Sequence, residues 1–536
     1  MVEPFQEKDT PVFDFSRGRA PFVLTRRGFL YGSALAGFAT ASGGFLTGPA
    51  AAAQKPKHGG TLRLGLDGGS ASDTLDPALA SATFAFVVCN TWGDTLVQSH
   101  PKTGRALPNL AESWDVSRDG LVWTFQIRKG VEFHNGKPLT VKDAVETLRR
   151  HSDKSSQSGA LGLLGGIKSI DGHGNELTIT LKEPNADLPL VLTDYHLQIQ
   201  PGGGRDNPRA AIGTGPYKLT NFTPGVRATF EKNKNDWRDD RGFVDSVLIT
   251  GINDVTARNS ALISKQVDLI DTVQPSTVSF LKRDPGVQIL RTGGKGFYAF
   301  LMHCDTAPFD DNDLRLALKY AIDRKQILDT VLRGFGTLGN DYPVNENYAL
   351  APTDIKQRVY DPDKAAFHFK KSGHTGEILL RTSDAAFPGA VDAAELFQQS
   401  ASKAGIKINV HREPDDGYWT EVWNVKPFCA SYWGGRPTQD TRYTTSYVSD
   451  AKWNDTRFKR PEFDKMVREA RAELDEDKRR TLYRKMAVMI RDEGGAIIPV
   501  FNDYVNAAGQ HVKNYVHDIG NDLCNGRVAS VVWLDT

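Results

Sequence analysis

The chain is 536 residues long, 39% hydrophobic and 10% aromatic, with 66 basic against 65 acidic residues. This apolar content supports a large buried core and excludes wholesale disorder; the length suggests two to four domains of about 100–200 residues. A net charge near zero gives no reason to expect nucleic acid or an anionic membrane surface as a general partner.

The N-terminal segment carries Thr25-Arg26-Arg27-Gly28-Phe29-Leu30, followed by an uncharged run rich in Gly, Ala, Ser and Thr that reaches Gln54. Pro49-Ala50-Ala51-Ala52-Ala53-Gln54 supplies small residues for an A-x-A cleavage site after Ala52 or Ala53. Arg26 and Arg27 ahead of this stretch predict a signal peptide over residues 1–53, read by the twin-arginine export machinery, and a periplasmic mature protein. A retained transmembrane helix is the alternative, since about 20 apolar residues suffice to span. Gly28, Gly32, Gly37, Gly43, Gly44 and Gly48 make it a poor one. The first cysteine is Cys89, so no lipid-attachable thiol ends the signal. Cys89, Cys304, Cys429 and Cys524 allow three disulfide pairings or free thiols; their wide spacing argues against a disulfide-built fold and a C-x-x-C site.

In the mature chain, Gly59–Leu66 alternates apolar and polar residues and predicts an opening strand. Trp123, Phe125 and Ile127 share one face of a strand over 122–127, and Asn135-Gly136 marks a tight turn. Thr140-Val141-Lys142-Asp143 opens a helix over 141–150 with a capping box, and 177–182 alternates again. Residues 311–333 read as two helices, with Asp323 capping the second and Gly334 ending it. A strand at 377–381, a helix at 391–404 and a strand at 406–411 predict a parallel βαβ unit. Two consecutive surface helices over 458–474 and 477–492 precede an apolar strand at 496–501.

Motifs of chemistry are missing. The chain has no H-E-x-x-H, no G-x-S-x-G and no Walker-type loop, and its twelve histidines never fall at metal-ligand spacing. Gly334-Phe335-Gly336-Thr337-Leu338-Gly339 matches G-x-G-x-x-G, but it follows a helix and precedes Asn340-Asp341-Tyr342-Pro343, so the dinucleotide reading fails its context. No catalytic residue, metal or cofactor is expected. Aromatic residues dominate instead, from Tyr418 to Trp453. Trp433 is the expected pocket ring, because Gly434 and Gly435 follow it in a loop that permits close approach.

The run from Leu110-Ala111-Glu112-Ser113-Trp114 through Trp123-Thr124-Phe125 to Phe133-His134-Asn135-Gly136-Lys137-Pro138-Leu139-Thr140 strongly resembles the family 5 solute-binding proteins. These are the dipeptide, oligopeptide and nickel receptors of ABC importers. Leu75-Asp76-Pro77, Gly213-Thr214-Gly215-Pro216-Tyr217, Pro308-Phe309-Asp310-Asp311 through Asp323-Arg324, and Tyr360-Asp361-Pro362-Asp363 agree in order. The resemblance implies a periplasmic-binding-protein-like α/β fold: two α/β lobes closing on a ligand at a hinge, plus an extra α+β domain. The expected boundaries are 54–97, 218–295 and 497–536 for the first lobe, 98–217 for the extra domain and 296–496 for the second lobe. It also implies a monomer that delivers a peptide or other small molecule to the permease subunits of an ABC transporter.

The resemblance implies ligand anchors as well, and here the chain departs from the pattern. Dipeptide receptors show W-x-x-D where this chain has Trp433-Gly434-Gly435-Arg436, and an Arg where gap-free counting places Asp384. The anchoring charges are thereby exchanged: Arg436 would take a carboxylate or phosphate and Asp384 a cation. Asp440 is the alternative amine anchor, and Asn340 and Asp341 are weaker candidates. The expected ligand is peptide-like or another small amphoteric solute. A secreted hydrolase of peptides or glycans is the rival reading.

Overall fold

The computed structural model describes residues 55–536; Arg26, Arg27 and the cleavage site lie outside the described residues. The opening alternation forms the strand Thr61–Leu66, whose Leu62, Leu64 and Leu66 are buried. It pairs in parallel with Ser246–Gly251 and with Leu269–Ile270 at the centre of a seven-stranded mixed sheet. Arg227–Lys232 and Tyr217–Thr223 extend that sheet on one side; Tyr504–Gly509 and Val287–Thr292 extend it on the other. Helix Thr83–Trp92, buried along most of its length, covers one face with Phe84, Val87, Val88 and Trp92.

The extra unit is a four-stranded antiparallel sheet in the order Ala111–Val116, Val122–Ile127, Glu176–Leu181, Ile167–His173. Trp123, Phe125 and Ile127 all point inward, as their spacing requires. Helix Val141–Ser152 packs on this face through Ala144, Val145 and Leu148. Its capping box forms, with Thr140 N donating to Asp143 Oδ2 at 2.8 Å.

The second lobe holds a six-stranded sheet in the order Gly336–Leu338, Ala496–Asn502, Phe297–Met302, Phe428–Trp433, Ile378–Thr382, Ile408–Arg412. Ile378–Thr382 and Ile408–Arg412 run parallel, joined by helix Ala390–Ser402, which buries Ala390, Ala393, Ala394, Phe397 and Ala401. Asp311 and Asp323 cap the helices Asn312–Ala321 and Arg324–Thr330 by accepting from Leu314 N and Gln326 N. Helices Pro461–Ala472 and Glu476–Glu493 are less superficial than their polarity suggests, because Phe463, Met466, Tyr483, Met486 and Ile490 enter a separate core. The segment 334–339 ends in an edge strand against Ala496–Asn502 rather than a phosphate loop.

Two segments cross between the lobes. One is Gly293-Gly294-Lys295-Gly296, between Val287–Thr292 and Phe297–Met302; the other is Asp503, between Ala496–Asn502 and Tyr504–Gly509. Ala496–Asn502 pairs with Phe297–Met302, so the return to the first sheet comes at Tyr504 and not at residue 497. The crossings touch: Asn502 N donates to Gly296 O at 3.1 Å, and a Cβ on Gly294 would stand 2.3 Å from Asn502 O. Asn345 and Asn347 brace the first crossing, each donating through Nδ2 to Gly294 O. The four cysteines are unpaired.

Candidate functional site

A cavity of about 1100 Å³ opens where both lobes and the extra unit face one another. Phe86, Asn90 and Asn525 line it from the first lobe, Tyr195 and His196 from the extra unit, and Gly434, Gly435, Arg436 and Thr441 from the second lobe. A second cavity of about 780 Å³ shares Phe86, Tyr195, Tyr504 and Asn521 with it and continues along Thr272–Ser276.

The loop carrying Arg436 is held at both ends. Strand Phe428–Trp433 enters it, and Thr438 caps helix Gln439–Ser446 beyond it by accepting from Thr441 N at 3.1 Å. Arg436 N donates to Tyr348 Oη at 3.2 Å, and Arg436 Nη1 to Gly435 O at 3.2 Å. No carboxylate lies within ion-pair distance of its guanidinium among the described residues. Burial and then the nearby Arg442 push its pKa down.

Close approach is required at Gly435, where an added Cβ would meet Lys295 Cβ at 2.9 Å; at Gly434 it would meet nothing within 4 Å. Gly435→Ala is therefore expected to cost about 1–3 kcal/mol of stability through overpacking. Gly434→Ala should leave the melting temperature within about 1 °C, because its new methyl enters open space and overpacks nothing. Calorimetry on both variants checks the contrast.

Trp433 does not line the cavity. It is 7% exposed and donates Nε1 to Asp455 Oδ2 at 2.9 Å, beside the parallel donation from Trp423 at 3.0 Å. Its ring carries two guanidiniums, Arg442 at 4.9 Å and Arg436 at 5.7 Å. A pocket ring was expected; a buried platform for the cationic loop is found, and Trp453 takes the lining position. Burial pushes the Asp455 carboxyl up to about 7, and the two indole donors and Arg442 offset this only in part. The folded chain thus holds this proton more tightly than the unfolded chain, where an aspartate titrates near 3.9. Stability from this group is fully present below about pH 4 and is lost as pH rises toward 7, by up to about 1.4 kcal/mol per unit. Asp455→Asn should flatten that part of the melting-temperature profile.

The other candidates divide. Asp440 lines the cavity, 7% exposed, but Arg471 Nε donates to both its oxygens at 3.0 and 3.1 Å. Burial still raises its pKa to about 6. Asp384 lies outside the lining of both cavities: it accepts from Val391 N at 3.5 Å, at the start of helix Ala390–Ser402, and faces Arg412 at 3.8 Å. The paired exchange of Arg436 and Asp384 is therefore not assembled. Asn340 and Asp341 belong to the second lobe's interior rather than to the cleft. Asn340 Oδ1 accepts from Arg358 N at 2.8 Å. Asp341 is fully buried against Arg324, whose Nη2 lies 2.7 Å from both carboxylate oxygens.

Four lining cations escaped the sequence reading: the exposed Lys182, Arg471 in its pair with Asp440, and Lys295 and Arg527. Lys295 stands alone in a glycine run at the lobe crossing, a pattern that offers a local signal. Arg527 has none: it follows Leu523, Cys524, Asn525 and Gly526, all with φ between 53° and 73°. Three successive non-glycine residues in the left-handed region cost about 1–2 kcal/mol each.

A cleft of mixed polar and apolar lining between two α/β lobes joined by paired crossings defines a two-lobed ligand receptor. The model of the bacterial extracellular solute-binding proteins, family 5, middle part, matches residues 105–455, and the chain belongs to this family. It is the periplasmic substrate-binding component of an ABC importer, partnering permease subunits, and not an enzyme. It is 27% identical over 487 residues to di/tripeptide-binding protein 1 of Pseudomonas aeruginosa, covering 83% of this chain and 89% of the relative. HbpA2 from Haemophilus parasuis shares the fold at a TM-score of 0.78 and 20% identity, over 89% of this chain and all of that one. AgaA of A. tumefaciens, solved with agropinic acid, does so at 0.70 and 24%, over 89% and 99%.

Proposed function

We propose that the protein leaves the cytoplasm by the twin-arginine route, is cleaved near Ala52 or Ala53, and works as a monomer that captures a small peptide-like solute. The solute sits in the interlobe cavity with an anionic group on Arg436. Closure about the Gly293–Gly296 and Asp503 crossings presents the liganded form to the permease. The observation that carries this reading is Arg436 itself, a lining guanidinium with no carboxylate partner among the described residues. An unpaired, partly desolvated cation is costly unless a ligand supplies the counter-charge. The amphoteric expectation is weakened by the placement of Asp384, and Asp440 serves an ammonium only by releasing Arg471.

Native mass spectrometry of the mature protein from its own periplasm tests the reading. A series of adduct masses fitting short peptides supports a peptide receptor; one discrete non-peptide mass replaces it with a dedicated small-molecule receptor. The export route is tested separately with Arg26→Lys/Arg27→Lys, which should leave unprocessed precursor in the cytoplasm. Processing at the normal rate would refute that route.

A further inference from the structure

Three buried or half-buried cations, not one, face the large cavity without a counter-charge in contact; a fourth lining cation, Lys182, is exposed and donates to Gly165 O. Lys295 is only 3% exposed, yet among the described residues its ammonium has neither a hydrogen-bond acceptor nor a carboxylate within ion-pair distance. Its nearest favourable contact is the face of Tyr348, 4.9 Å from Nζ to the ring centroid. Burial pushes its pKa down to about 8, with Asp518 the opposing influence. Tyr348 also accepts from Arg436 N, and Gly435 packs on Lys295, so the two cations share one wall. The Arg527 guanidinium likewise has no hydrogen bond or ion pair among the described residues. The strained left-handed turn ahead of it is sustained by its surroundings and marks the kind of place where strain serves a site.

The acids of the same cavity do not balance this charge. Asp440 is committed to Arg471, and Asp194 accepts from His196 N and Nδ1. Glu183 is exposed. Asp518, 5% exposed and not itself among the lining residues, is the one buried acid felt by both Lys295 and Arg527, and it accepts from Gly520 N instead of pairing with either. With the exposed Lys182 and Glu183 offsetting one another, the three cations against Asp518 leave about two positive charges for a ligand to match, and buried charges left unmatched are strongly destabilising.

We infer that Lys295 and Arg527 form with Arg436 a three-point anion site, and that the solute carries at least two net negative charges, from carboxylates or phosphates. A peptide with two or more acidic side chains satisfies this; an ordinary dipeptide, with one carboxylate and one ammonium, does not. The inference rests on the cleft reading proposed above and narrows it to a ligand class.

The test begins with mature protein isolated from its own periplasm. The ligand is quantified by native mass spectrometry, released by acid, and its net charge at neutral pH is measured by capillary electrophoresis. The expected ligand carries at least two net negative charges, and Lys295→Met and Arg527→Gln each lower its affinity by at least about tenfold. Lys295→Met should at the same time raise the melting temperature of the ligand-free protein, because it removes an unpaired buried charge. A merely structural lysine would show the opposite sign. A released ligand with no net negative charge or a single one, or full affinity in both variants, overturns the dianion inference and leaves the receptor role standing. An unchanged adduct in Arg436→Ala overturns the cleft reading itself. If the protein emerges without ligand, melting is compared in about 10 mM citrate, pyrophosphate and chloride at equal ionic strength. Stabilisation by citrate or by pyrophosphate, lost in Lys295→Met, supports the site and separates carboxylate from phosphate. Equal melting in all three overturns it.

Discussion

Replacing Arg436 with alanine is expected to weaken binding of the recovered ligand by about 30-fold to more than 1000-fold. This corresponds to the roughly 2–5 kcal/mol lost when one partner of a buried, hydrogen-bonded charge pair is removed. The fold should survive, since Arg436 contributes a contact within its own loop, a guanidinium over the Trp433 ring that Arg442 also covers, and a backbone bond to Tyr348 that alanine retains. Titration calorimetry with the released ligand, alongside a melting curve, separates the two effects. Arg436→Lys should recover only part of the affinity, because an ammonium cannot reproduce a bidentate fork. Unchanged affinity in Arg436→Ala would overturn the reading of this cleft as the ligand site.

The second large effect falls on stability alone. Burial pushes the Asp341 carboxyl up, but Arg324, Arg358 and Lys319 outweigh it and hold the group below the ordinary aspartate value. Asp341 Oδ1 also accepts from Ile498 N at 3.0 Å, tying the helix Arg324–Thr330 to the strand Ala496–Asn502. Asp341→Ala leaves Arg324 buried without a counter-charge and Arg358 with Asp492 alone, at a cost of about 3–5 kcal/mol. Thermal or urea unfolding should register that loss, while ligand affinity stays within about twofold because Asp341 does not line the cavity. A variant that melts normally and fails to bind would return Asp341 to the ligand site.

Much of the scaffold was legible because local patterns and long-range packing agree there. Trp123, Phe125 and Ile127 alternate and are all buried; Asp311, Asp323 and Thr140 are placed as caps and act as caps. The βαβ unit around helix Ala390–Ser402 follows from the switch in apolar period. The site was less legible. Arg436, Gly434 and Gly435 reach the cavity as the glycine-flanked loop suggested. Asp384 misses it because gap-free counting across a loop carries no information about direction, and there its carboxylate faces a helix start and Arg412. Asn340 and Asp341 look like loop polars in sequence, yet a buried arginine pair draws them into the second lobe.

Motifs spread over the mature chain carry the class of the protein, much of its secondary structure and one lining cation. Those features depend on neighbours a few residues apart. Which charges are matched emerges only from the folded arrangement. Asp440 meets Arg471 and Asp455 meets two indoles, whereas Lys295, Arg436 and Arg527 converge on one cavity from a lobe crossing, a loop and a left-handed turn. Charge compensation is a property of distance and burial in three dimensions, and positions far apart in the chain carry no local trace of it.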